Sequence, residues 1–237
     1  MKFYQLFFFL IIMPSLVFAV EVPTLEGMIE PNELVEFSSQ VPGIIEQINV
    51  DRGDYVQREQ VLAKLKSGVA EAAVNLAFAR LEFSLRKAER NQELHRKQLI
   101  SNHEKDEIET EVQLAQLELQ KSQEFLKLRT IMSTTAGFVV ERTGAAGEYV
   151  GEEPFLIVAR IDPLNVEVVV PVEYFGAIKK GQYAQVVLEE PVGGTYKAKV
   201  VIVDHVIDAA SGTFRVRLEL PNQKLKLPAG LKCLVTF

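Results

Sequence analysis

The chain has 237 residues and carries 26 Lys+Arg against 32 Asp+Glu, a formal net charge of −6. That acidic balance excludes a general nucleic-acid binder, which needs a basic face to displace phosphate counterions, and a 48% hydrophobic content excludes wholesale disorder. The single cysteine, Cys233, excludes a disulfide framework and a cysteine-cluster zinc site, and His95, His103 and His205 are too scattered for a metal centre.

Residues 1–19 read as a cleavable secretory signal. Lys2 gives the positive start, Phe7 to Ile12 is apolar, Pro14 and Ser15 break the run, and Val17-Phe18-Ala19 supplies the cleavage site. The apolar run of about fifteen residues is shorter than the roughly twenty a membrane-spanning helix needs, which leaves an uncleaved anchor as the alternative. No cysteine follows it, so a lipoprotein is excluded. The mature chain is expected outside the cytoplasm. Residues 20–37 are expected to supply a strand, Glu30 to Phe37, that joins a later β-barrel.

Residues 38–66 and 131–161 contain an internal repeat at an offset of 94 residues. VPGIIEQINVDRGDYVQREQVLAKL (41–65) aligns without a gap on TAGFVVERTGAAGEYVGEEPFLIVA (135–159). Gly43 faces Gly137, Gly53 faces Gly147, Asp54 faces Glu148, and Tyr55-Val56 faces Tyr149-Val150. The four glycines are expected at turns, with β-branched and aromatic runs as strands between them. Neither half is long enough to bury its own apolar face, so the two should fold together as a small β-sandwich.

Residues 67–130 lie between the halves and change character. They are rich in Ala, Leu, Glu, Gln, Lys and Arg, contain no Pro, and have Gly68 at their start. Val74, Phe78, Leu81, Leu85 and Ala88, then Ile108, Val112, Ala115, Leu119, Ser122 and Leu126, recur in steps of three and four, the mark of a coiled-coil seam. The pattern lapses over Gln98 to Asn102. Ser101 with Glu104 three residues on forms a capping box that starts a second helix. Two antiparallel helices of about 45 Å each keep the repeat halves together, whereas one continuous helix would separate them by about 95 Å.

Residues 162–237 return to short strands: Asn165–Val170, Gln185–Leu188, Lys197–Val203, Thr213–Leu220 and Lys232–Phe237. A short helix is expected over Pro171 to Lys180, closed by Gly181. Frequent turns and strict alternation in Thr213–Leu220 predict a small β-barrel. Cys233 falls at a core position. The fold class is therefore mainly β with a long α-helical hairpin: a small β-sandwich split by an antiparallel coiled coil and followed by a β-barrel.

This order of parts, over residues 30–237, resembles the periplasmic adaptors, or HlyD-like membrane fusion proteins, of bacterial tripartite efflux pumps. The half-motifs VPGIIEQINVDRGDYV and GFVVERTGAAGEYVGEEPFLIVA resemble biotinyl/lipoyl domains. The barrel resembles the family in Val170 to Glu173, Gly181-Gln182, Asp208 to Thr213 and Leu227 to Gly230. The resemblance implies a homo-oligomeric periplasmic ring between an inner-membrane transporter and a TolC-like outer-membrane channel. The transporter would be of the resistance–nodulation–division (RND) type, with an ABC exporter as the alternative. Such adaptors dock on the channel through an Arg, a Leu four residues later and a Ser seven further on. Arg90, Leu94 and Ser101 hold that spacing at the expected reversal. Each also has a plainer role: Arg90 as a solvated charge, Leu94 as seam, Ser101 as an N-cap.

The chain departs from the family in stopping at Phe237, right after the barrel's last expected strand, where many RND-type adaptors add a membrane-proximal domain. No paired acid–base set, nucleophile elbow or phosphate loop is present, so no catalytic residues and no cofactor are expected. Met28 and Met132, the methionines of the mature chain, form no cluster with histidine, so no metal site is expected either. A lipoyl or biotinyl carrier is the alternative from another class. It would need a lysine on the turn joining the halves, where the helical segment sits instead, with Lys64 and Lys66 at a strand end. A self-pairing periplasmic scaffold is a third reading.

Overall fold

The computed structural model describes residues 22–237; the expected signal over 1–19 lies outside them. The chain divides into two compact units: one of residues up to Glu30, Asn165–Pro221 and Gly230–Phe237, and one of Pro31–Leu164 and Asn222–Ala229.

The first unit is the barrel. Its strands follow the order β1 (Leu25–Phe37), β12 (Lys232–Thr236), β9 (Tyr183–Leu188), β10 (Thr195–Val203), β11 (Thr213–Leu220) and β8 (Leu156–Pro171), and a β1–β8 pairing closes the ring. Alternation buries Val166, Val168 and Val170 of β8, and Phe214, Val216 and Leu218 of β11, in the interior. Cys233 lies among them, 2% exposed. On the outside Arg217 pairs with Glu167, and Arg215 with Asp204 at 3.5 Å.

Two expectations for this unit change. The stretch that pairs with β12 is Leu25 to Met28, in register with Val235 to Lys232, and not Glu30 to Phe37. Ile29, fully buried, anchors that earlier stretch, whereas the residues from Pro31 on belong to the other unit. The helix expected over Pro171 to Lys180 shrinks to one 3-10 turn, Val172–Tyr174. Phe175, at φ −61° and ψ 124°, is already extended, and Gly176 follows at φ +90°, so the helix does not continue.

The second unit holds the repeat halves and the hairpin. One sheet orders β5 (Thr130–Met132), β4 (Val61–Leu65), β2 (Gly43–Ile48) and β7 (Tyr149–Val150); facing it, β3 (Tyr55–Val56) pairs with β6 (Gly137–Arg142), which pairs with β8. Ile45, Leu62, Leu65, Val139, Leu156 and Val158 fill the space between, each at most 1% exposed. The halves exchange elements: β2 of the first takes β7 of the second, and β6 of the second takes β3 of the first. The bulges also match, since register slips between Ile45 and Gln47 in β2 and, 94 residues on, between Val139 and Glu141 in β6.

Of the four glycines expected at turns, Gly53 and Gly147 are there, at φ +95° and +92°. Gly43 and Gly137 are not; they open strands β2 and β6. Their requirement is space: a Cβ on Gly137 would collide with the Ala159 carbonyl, and one on Gly43 would lie 2.8 Å from the Arg129 guanidinium.

Helices α1 (Gly68–Arg96) and α2 (Asn102–Lys127) form the antiparallel hairpin. On α2 the seam is as expected from Ile108 to Leu126, with Ala115 3% exposed. On α1 it differs. Ala77 and Ser84, not Phe78 and Leu85, fill the positions between Val74, Leu81 and Ala88; Phe78 is 52% and Leu85 49% exposed. Small side chains let the two backbones approach, and the bulky neighbours one step along turn outward. Arg80–Glu118 at 3.1 Å and Lys87–Glu111 at 2.6 Å bridge the helices along one flank. No described helix is long and apolar enough to cross a membrane.

Candidate partner-docking site

The reversal at the hairpin tip is built by two complementary caps. At the end of α1 the chain swings through Gln98 at φ +58°; the Gln98 amide donates to the His95 carbonyl at 2.8 Å and the Leu99 amide to the Leu94 carbonyl at 2.9 Å. This is the left-handed termination usually given to glycine, in which the residue after the turn is set beside the last helical turn. Here it holds Leu99 next to Leu94.

At the start of α2 the expected capping box is complete. Ser101 Oγ accepts from the Glu104 amide at 3.2 Å, while the Ser101 amide donates to Glu104 Oε2 at 2.8 Å. The same hydrogen bonds, to the backbone and hydroxyl of Ser101, pull the Glu104 carboxyl below its usual range. His95 Nε2 meets Asn102 Oδ1 at 2.9 Å and ties one cap to the other. His95 is half-buried at a position that continues the seam of α1.

Arg90 and Leu94, one helical turn apart, share one face of α1. Arg90 is exposed and, among the described residues, has no carboxylate within ion-pair distance. Leu94 is 37% exposed. Ser101 differs from them: its hydroxyl accepts from the Glu104 amide and donates to Glu104 Oε2 at 3.0 Å, so it serves the cap first. Leu99, 68% exposed, was not singled out in the sequence. The signal that finds it is the non-glycine left-handed residue before it, which no composition pattern reveals. A groove of about 280 Å³ runs beside the tip, lined by Leu85, Ala88, Gln92, Ile100 and Ile108 among others. An exposed cation, two exposed leucines and a rigid reversal suit recognition of a helical protein surface, by filling a groove and donating to its acceptors.

The chain matches the family model described as CzcB-like, barrel-sandwich hybrid domain over residues 33–159, and the one described as CusB-like, beta-barrel domain over residues 164–237. It is 22% identical over 220 residues to the nodulation protein NolF of Rhizobium meliloti, covering 86% of this chain and 60% of that one. The MacA–MexA chimeric protein that contains the Pseudomonas aeruginosa MexA α-hairpin domain shares the fold with a TM-score of 0.79 at 20% identity, over 91% of this chain and 80% of that one. The membrane fusion protein Spr0693 of Streptococcus pneumoniae R6 does so with a TM-score of 0.75 at 17% identity, over 90% and 98%. The chain spans 54% and 60% of the lengths of the curated relatives it matches.

Proposed function

The chain belongs to the CzcB-like barrel-sandwich hybrid family of membrane fusion proteins of efflux systems, and from that premise we propose that it is the periplasmic adaptor of a tripartite pump. In this reading it links an inner-membrane transporter of the RND type to a TolC-like outer-membrane channel, as a homo-oligomeric ring, with no catalytic role. The observation that carries it is the pairing of exposed Arg90 with exposed Leu94 on one face of a doubly capped tip. Leu94 fills a groove on the channel's helical end, Arg90 bonds its acceptors, and Ser101 keeps the reversal rigid.

A carrier role receives no support, because Lys64 lies within β4, paired with Thr130, and not on a turn. The test compares Arg90→Asp with Arg86→Asp, a change on the outer face of the same helix. Arg90→Asp and Leu94→Ser should abolish efflux and crosslinking to the channel with helicity and periplasmic level unchanged; Arg86→Asp should keep both. Equal loss in Arg90→Asp and Arg86→Asp would remove the privilege of the tip.

A further inference from the structure

The strand order of the barrel brings the N-terminal entry and two long connections to one rim. β1 starts there at Leu25, which pairs with Val235, and the Thr24 and Thr236 hydroxyls meet at 3.0 Å. β12, β9, β10 and β11 pair antiparallel in turn, so the β8–β9 connection (172–182) and the β10–β11 connection (204–212) open on that rim too. The first is fastened to the second by the Val172 amide, which donates to the Gly212 carbonyl at 2.9 Å. The Gly181 amide ties it to β10 through the Val200 carbonyl, at 2.8 Å.

The side chains raised on this rim are apolar and basic. Val206 is 82% exposed, and Val172, Phe175 and Ile207 are also uncovered. Phe175 sets one edge against the buried Phe214 ring, 5.3 Å between centroids, and leaves the rest to solvent. The acids beside them are engaged. Asp204 pairs with Arg215 at 3.5 Å, Asp208 accepts from the Ala210 amide and the Ser211 hydroxyl, and Glu173 is bonded to the Tyr174 hydroxyl. Lys179 and Lys180 are exposed and, among the described residues, have no carboxylate within ion-pair distance.

Single apolar side chains on separate loops suit a fluid surface, which closes around each, whereas a protein partner would need a matching cleft for every one. The lysines beside them match lipid phosphates. The sequence names the same neighbour. Five residues separate Ala19, at the end of the apolar N-terminal segment, from Thr24, a span of at most about 18 Å. When that segment enters the membrane during export, the chain that follows it begins at this rim.

We infer that the rim is a lipid-surface contact: Phe175, Val206 and Ile207 enter the headgroup boundary of an anionic bilayer, and Lys179 and Lys180 rest on its phosphates. The assignment goes beyond the adaptor reading and is independent of the hairpin tip.

The test places an environment-sensitive fluorophore (NBD) on Val206→Cys in the full chain as isolated from cells, with buried Cys233 left in place. A second label goes on Val192→Cys, in the β9–β10 turn at the opposite rim. On vesicles of phosphatidylethanolamine with phosphatidylglycerol, the label at 206 should shift to the blue and brighten, and the label at 192 should not. Lys179→Glu with Lys180→Glu should raise the lipid needed for the same shift by about tenfold. No shift at 206, an equal shift at 192, or a lipid requirement that ignores the lysines overturns the inference. So does a shift that appears only with a transporter reconstituted in the vesicles, since a protein is then the occupant. The Arg90 and Leu94 variants test the channel contact alone, so either reading can fail without the other.

Discussion

The amide of Gly53 donates to the carbonyl of Val139 at 2.8 Å; 94 residues along from each, the amide of Gly147 donates to the carbonyl of Ile45 at 2.9 Å. The reciprocity extends to the acids that follow: Asp54 Oδ2 accepts from the Asp51 amide and Glu148 Oε2 from the Ala145 amide, at 2.7 and 2.9 Å. Each half's turn is thus held by the other half's first strand. Both glycines sit at a positive φ that an L side chain adopts only with strain, and neither has an atom within 4 Å of a built Cβ. Gly53→Ala and Gly147→Ala should therefore each cost about 1–2 kcal/mol, from backbone conformation alone. Gly151→Ala, which also meets no atom but has no positive φ, should stay within about 0.5 kcal/mol. Urea unfolding of the three variants checks this, and unequal losses at Gly53 and Gly147 would break the claimed equivalence.

Gln98 occupies a left-handed position that favours glycine. Gln98→Gly should stabilise the hairpin, by up to about 1 kcal/mol, because the Cβ strain of the native residue is removed. Hydrogen exchange of the Leu99 amide, which closes the cap, should slow. Faster exchange would show that the Gln98 side chain supports the turn.

Ser101→Ala should cost about 1 kcal/mol by leaving the first amides of α2 uncapped. The cap is also sensitive to acid. Glu104 is held below its ordinary value of 4.5, chiefly by the Ser101 amide, so the folded hairpin binds fewer protons than the unfolded chain in that range. Its contribution is complete above that ordinary value and fades as pH falls through the lower folded one. Helicity followed down an acid titration should fall later in Glu104→Gln than in the native chain, after normalising to neutral pH. Coincident curves would remove Glu104 from the acid response.

Burial pushes the Cys233 thiol up to about 11, with the Glu189 charge adding to it. Thiolate is the reactive form, so the folded protein should leave a maleimide or disulfide reagent untouched at neutral pH and react fully once urea unfolds the barrel. Prompt labelling of the native chain would mean the β1–β12 edge opens.

The repeat was readable because Gly-acid turns and flanking strands recur at one offset, and positive-φ geometry leaves few residue choices. The seam of α1 was not. Val74-Phe78-Leu81-Leu85-Ala88 and Val74-Ala77-Leu81-Ser84-Ala88 share alternate members, and a search weighted by hydrophobicity takes the bulkier set. In a lone helix pair the close approach favours the smaller one, and that preference has no local marker. The barrel's first strand was placed late for a related reason: Gly27 interrupts the apolar alternation of Leu25 and Ile29, yet a Cβ there would come within 3.2 Å of Cys233 Sγ. Arg90 and Leu94 were singled out through the family resemblance, whereas the placing of Leu99 depends on a dihedral angle at Gln98.

The Leu65 amide bonds to the Arg129 carbonyl at 2.8 Å across the whole length of the inserted hairpin. Before residues 135–159 join them, residues 41–65 lack the partners that hold their turn. The β2–β4 pair they contain lacks β7 and the facing β6 until residues 135–159 join it. The helices between them rely on contacts nearer in sequence and should form first. Once they zip, two ends that would have searched for each other through a long flexible loop are delivered side by side, and the entropy of closing that loop is already met. The inserted coiled coil is therefore also the folding jig of the domain it divides. Breaking its seam midway should slow assembly of the sandwich more than it speeds unfolding.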